Sequence, residues 1–191
     1  MKAVAFNGSP RGNGNTHAMI QRIFANMGEH NIACMEYQVG GKKIGGCRAC
    51  GSCKKLQNRQ CVYDDDCING ALALMEDADI IILGSPTYFA ALTPEMKALI
   101  DRCGYVARAN GGMLRRKIGA SVTAVRRAGA LNVFQAMNNF FFINEMIVPG
   151  SSYWNLAIAR DIGAFSADDE GVATMDTLAE NIVWLADRII S

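Results

Sequence analysis

Charge of one sign is missing from this chain. Nineteen Lys and Arg face 18 Asp and Glu over 191 residues, a formal net charge of +1, which predicts neither nucleic-acid binding nor an acidic docking face. No apolar run reaches the length of a membrane span. No signal peptide precedes the first apolar strand, so the expected location is the cytoplasm. Internal repeats and low-complexity tracts are absent, as is any Ser/His/Asp constellation or side chain that must act as a general base. What is plentiful is apolar: half the residues are hydrophobic, enough for one globular domain over 1–191 with a sizeable core.

Apolar runs alternate with amphipathic stretches throughout. Strands are expected over 2–6, 32–38, 80–83, 120–125 and 146–148, and helices over 16–28, 66–76, 94–106, 131–143 and 174–190. Five strands with intervening helices predict an α/β fold, a doubly wound parallel sheet in the order 2-1-3-4-5 with helices on both faces. Ligands of such sheets sit beyond the carboxyl ends of the strands, so the loops after the first and third strands matter most. Two segments break the alternation, residues 39–65 and 149–171. Both are far longer than the usual connection of about 2–6 residues.

The loop after the first strand reads Asn7-Gly8-Ser9-Pro10-Arg11-Gly12-Asn13-Gly14-Asn15-Thr16 and opens a helix. Unpaired N–H groups at a helix start favour an anion. Glycines allow close approach, Ser9 and Thr16 offer hydroxyls, and Arg11 adds a cation. No lysine is present for a nucleotide P-loop, and His17 stands where a dinucleotide fingerprint needs its third glycine. The terminal phosphate of a mononucleotide such as FMN remains; the plainer alternative is an ordinary Gly/Asn turn.

The third strand runs into Gly84-Ser85-Pro86-Thr87-Tyr88-Phe89, placed opposite the phosphate loop and suited to a flat ring. Pro86 stiffens it, Thr87 to Phe89 offer amides, and Tyr88 or Phe89 can pack on an apolar plane. A turn ending a buried strand is the alternative. Seven cysteines are many, and four crowd into Cys47-x2-Cys50-x2-Cys53-x7-Cys61. The odd total and the crowding argue against a disulfide framework and leave metal or redox chemistry open.

With these motifs, Lys97-Ala98-Leu99-Ile100-Asp101-Arg102, Val125-Arg126-Arg127-Ala128-Gly129 and Gly150-Ser151-Ser152-Tyr153-Trp154, the chain resembles the NAD(P)H-dependent FMN reductase and iron–sulfur flavoprotein branch of the flavodoxin-like superfamily. The resemblance implies that Ser9, Arg11, Asn13, Gly14, Asn15 and Thr16 hold the FMN phosphate. Pro86, Thr87, Tyr88 and Phe89 would border the ring, and Arg126, Ala128 and Gly129 would close the site. It further implies a nicotinamide donor, a small electron acceptor and a homodimer or homotetramer. In the iron–sulfur members a cysteine loop like Cys47, Cys50, Cys53 and Cys61 holds a [4Fe–4S] cluster, fed by a ferredoxin; redox-labile free thiols and zinc are the alternatives.

Other features have plainer readings. Asp64-Asp65-Asp66 fits a helix cap, His17 a surface or capping role, and Cys34, Cys67 and Cys103 small buried side chains. Arg126 and Arg127 either approach the ligand or form a solvated basic pair. The aromatic excess of Phe140-Phe141-Phe142, with Tyr153-Trp154, suggests a subunit interface.

Overall fold

The computed structural model describes residues 1–190. Five parallel strands form the sheet in the order β2-β1-β3-β4-β5: β1 Lys2–Asn7, β2 Ala33–Gln38, β3 Ile80–Pro86, β4 Ile118–Val125 and β5 Leu156–Ile158. The helices are α1 Asn15–Glu29, α2 Ser52–Leu56, α3 Ile68–Asp77, α4 Pro94–Ala109, α5 Ala130–Ile143 and α6 Asp169–Ile189. The expected doubly wound, flavodoxin-like order is the order found.

The central strands are apolar on both faces because both are covered. Alternate residues serve the two sides. Ala3, Ala5, Ile80 and Ile82 pack with α1 and α6, while Val4, Phe6, Ile81 and Leu83 pack with α3, α4 and α5. In α1 the buried set Met19, Ile20, Ile23, Phe24 and Met27 recurs at helical spacing and supplies the inward stripe. Thr93, followed by Pro94, starts α4 by accepting from Met96 N at 3.4 Å. Because the strands are parallel, all their carboxyl ends open at one edge.

The fifth strand lies elsewhere than the sequence suggested. Residues 146–148 make only a single bridge, Ile147 to Ile118, whereas β5 is Leu156–Ile158, paired with Thr123, Ala124 and Val125. The edge chain begins its ladder, leaves it and rejoins it. Pro149 has no N–H to continue the pairing, and the excursion carries Tyr153 and Trp154 to the surface. Helix α6 starts at Asp169, earlier than residue 174, because Asp168 accepts from Gly171 N at 3.1 Å and caps it. Helix α3 starts at Ile68, later than residue 66, after a turn in which Asp66 accepts from Ile68 N at 3.1 Å. The short α2 inside the cysteine loop had no counterpart in the sequence reading.

Candidate functional site

The loop between β1 and α1 is held from several sides. Asn7 Oδ1 accepts from Ser9 N at 2.9 Å, Gly8 N donates to Gly84 O at 2.7 Å, and Thr93 Oγ1 donates to Gly8 O at 2.8 Å. Gln38 Nε2 donates to Ser9 O at 2.6 Å and to Gly40 O at 2.8 Å. Gly40 lies so close that a Cβ there would sit 2.3 Å from Ser9 C. This bracing holds the loop in one shape over the start of α1. No side chain caps that start, and the N–H groups of Asn15, Thr16 and His17 have no partner among the described residues. Ser9 and Thr16 are buried there.

The second loop follows β3. Tyr88 and Ala91 exchange two backbone bonds around a two-residue turn at Phe89 and Ala90, with φ of 48° and 57°. Two L-residues at positive φ store strain in this hairpin tip. Phe89 is fully exposed on it. The amides of Thr87 and Tyr88 are spent on Ala124 O and Ala91 O, so of the three offered in the sequence reading only Phe89's is free for a ligand. Thr87 Oγ1 is buried without a partner. Gly129, at φ 89°, lets the loop after β4 close on this one: a Cβ would stand 3.1 Å from Ala90 Cα.

These loops enclose a cleft of about 170 Å³. It gathers Ser9, Arg11, Gly14, Asn15 and Thr16 with Pro86, Thr87, Tyr88 and Arg126. Asn13 and Phe89 are exposed and off its lining, and Ala128 and Gly129 line a neighbouring cavity beside Tyr153 and Trp154. The fourth wall, Ala159, Arg160 and Ile162, was missed in the sequence. Its signal was available, since the loop after β5 belongs at the carboxyl edge, but it was hidden by placing β5 at 146–148. Nor does Asn15 extend its side chain towards an anion: Nδ2 donates to Ala159 O and Asp161 O at 3.2 and 2.8 Å, and Oδ1 accepts from Gly163 N and Phe165 N. Uncapped amides, two buried hydroxyls, an arginine and an orphaned hydroxyl suit a phosphorylated ligand with a polar ring edge. His17 turns to β2, where its Nδ1 lies 2.7 Å from Glu36 Oε2.

The cysteine loop is organised by Arg102 on α4, only 3% exposed. Arg102 pairs with Asp66 and donates to Gly45 O at 3.2 Å, Tyr63 O at 2.6 Å and Cys61 Sγ at 3.3 Å. Burial opposes its charge, yet Asp66 and Cys61 hold its pKa above the ordinary value. The expected cap is therefore not what Asp66 supplies: α3 has Cys67 at its N-cap without a side-chain cap, and Asp66 is committed to Arg102. All seven cysteines are free thiols. Cys53 and Cys61 pack on the core under α4, while Cys47 and Cys50 are exposed. Among the described residues no three His, Cys, Asp or Glu side chains gather as a metal site. Cys47, Cys50, Cys53 and Cys61 are thus not drawn together about one point in this arrangement. Burial raises the thiol pKa of Cys34, Cys67 and Cys103.

The fold is flavodoxin-like, and the family match makes the chain a flavoprotein of the oxidoreductase class. The chain belongs to the NADPH-dependent FMN reductase family, whose model matches residues 1–161. An iron-sulfur flavoprotein of Methanocaldococcus jannaschii is 32% identical over 196 residues, covering 99% of each chain. A second iron-sulfur flavoprotein of that organism is 31% identical over 174 residues, covering 90% of this chain and 84% of its own. In fold the chain is similar to the crystal structure of RosB, with a TM-score of 0.74 and 18% identity over 98% of this chain and 79% of that one.

Proposed function

We propose that the cleft binds FMN, and that the chain passes electrons from NADH or NADPH to a small acceptor. The observation that carries this reading is the uncapped start of α1, facing Ser9, Thr16 and Arg11 in the same cleft as the orphaned Thr87 hydroxyl. RosB, similar in fold, was crystallised with 8-demethyl-8-formylriboflavin-5'-phosphate, and the family description names NADPH and FMN. When bound, FMN supplies hydride and single-electron transfer, leaving the protein to bind, orient and exclude water. Ser9, Thr16, Arg11 and the first-turn amides of α1 hold the phosphate. Pro86 to Tyr88 would border the ring, the unpartnered Thr87 hydroxyl would meet its polar edge, and Arg126, in the same lining, would meet an anionic donor. The exposed Leu131, Phe142, Tyr153 and Trp154 support a homodimer or homotetramer. The chain works as one cytoplasmic domain with 39–65 as an inserted loop.

Flavin titration followed by anaerobic NADPH tests the reading. Saturation by FMN at one per chain, bleaching by NADPH, and loss of binding in Arg11→Ala/Thr16→Ala are the expected results. Unchanged FMN affinity in that variant refutes the phosphate assignment.

A second reading, an iron–sulfur flavoprotein with a [4Fe–4S] cluster fed by ferredoxin, draws on the names of the two relatives and on the spacing Cys47-x2-Cys50-x2-Cys53-x7-Cys61. The loop would have to bring its exposed cysteines to Cys53 and Cys61. Iron and acid-labile sulfide, assayed in protein purified without oxygen, decide between the two. Four of each per chain supports the cluster, and none supports free thiols.

A further inference from the structure

We propose that Arg160 is a second phosphate-binding cation of the cleft and that Asn15 is the residue that positions it. The proposal rests on the reading that the cleft takes FMN. The residues on either side of Arg160 are both pinned by their carbonyls: Ala159 O and Asp161 O accept from the one Asn15 amide, at 3.2 and 2.8 Å. Ala159 N donates to Val125 O at 2.7 Å, tying the same point to β4. Beyond it, Gly163 N and Phe165 N donate to Asn15 Oδ1 at 3.1 and 3.3 Å. A primary amide offers two donors and a carbonyl with two lone pairs. All four are used on this loop, and none is left for a ligand. Asn15 is also the first residue of α1, so the staple ties the loop after β5 directly to the anion-binding helix start.

The staple delivers a cation. Arg160 lines the same cleft as Ser9, Arg11 and Thr16 and makes no ion pair or side-chain hydrogen bond among the described residues. The cleft has no carboxylate in its lining. A phosphate monoester carries about −1.5 to −2 charge at pH 7, whereas Arg11 and a helix start of about +0.5 together supply less than the upper figure. Two further cations line the cleft, Arg126 and Arg160, and Arg160 is the one whose backbone neighbours are tied through Asn15 to the helix start.

The test compares FMN with riboflavin, which lacks the phosphate, across the wild type, Arg160→Gln, Asn15→Ala and the double variant. Arg160→Gln, an exposed substitution, is expected to lower FMN affinity about tenfold or more, as loss of a charge-assisted hydrogen bond does. Riboflavin affinity should stay unchanged. Asn15→Ala should show the same phosphate-selective loss, and the double variant should be little worse than either single one, since both remove one interaction. Restoration by Arg160→Lys towards wild type would support a charge role. Equal FMN affinity in Arg160→Gln and wild type overturns the proposal and leaves the FMN reading standing, as does an equal loss for both flavins. Additive losses overturn the positioning role of Asn15. A wild type that binds neither flavin overturns both readings together.

Discussion

Replacing Arg102 by Met should unfasten the cysteine loop and cost much of the protein's stability. The guanidinium and the Asp66 carboxylate are 3% and 5% exposed. The replacement leaves Asp66 buried with only the Ile68 N–H as partner. Removing one member of a buried pair costs about 3–5 kcal/mol, because the remaining charge is uncompensated. The carbonyls of Gly45 and Tyr63 lose their donor as well. At about 2–4 °C per kcal/mol for a chain of this size, the melting temperature should fall by about 6–20 °C. Calorimetry measures this directly, and limited proteolysis should show cleavage between residues 43 and 66 that the wild type resists. The double variant Arg102→Met/Asp66→Leu should recover part of the loss, since it removes the orphaned charge but not the unmet carbonyls. A fall below about 2 °C is what a solvent-exposed pair gives, and would show that water reaches Arg102 in solution.

Gly40→Ala places a Cβ 2.3 Å from Ser9 C and 2.4 Å from Gly8 O, so the phosphate loop must move; overpacking of about 1–3 kcal/mol and at least a tenfold weaker FMN complex are expected by fluorescence titration, and wild-type affinity would contradict the bracing role. Phe89→Asn/Ala90→Gly relieves two positive-φ L-residues and should raise stability by about 1–2 kcal/mol, read as a higher urea midpoint; an unchanged midpoint means that the turn carries no strain. Burial pushes the Cys34 thiol up to about 11 from 9.0, with Cys103 raised in the same way. The folded state then holds more protons than the unfolded between these values, so stability should be full below pH 9 and fall as pH rises towards 11; a flat urea midpoint from pH 8 to 11 refutes this. In metal-free protein at pH 8, exposed Cys50, lowered by the Ser52 hydroxyl, should alkylate before Cys34, as peptide mapping would show.

The amino-acid sequence by itself determined the layered architecture and the chemistry of two loops. Buried parallel strands need continuous apolar runs, and surface helices need a stripe every three to four residues, so β1, β3, β4 and most helix bodies were legible locally. The same holds for Gly8 to Thr16, whose composition speaks for an anion before any packing is known. Tertiary structure decided what depends on residues far apart in the chain. Residues 146–148 and 156–158 look alike as short apolar runs; only the ladder with β4 selects the second, once Pro149 has broken the first pairing. That choice brings Arg160 to the cleft and commits the Asn15 side chain to a loop 144 residues or more away. Arg102 likewise read as part of a helical motif. Its burial against Asp66, Tyr63 and Cys61 follows from how a long insertion folds back on α4. Periodicity is a property of neighbours along the chain, whereas hydrogen-bond capacity is filled by whatever the fold brings near, and no local pattern records that.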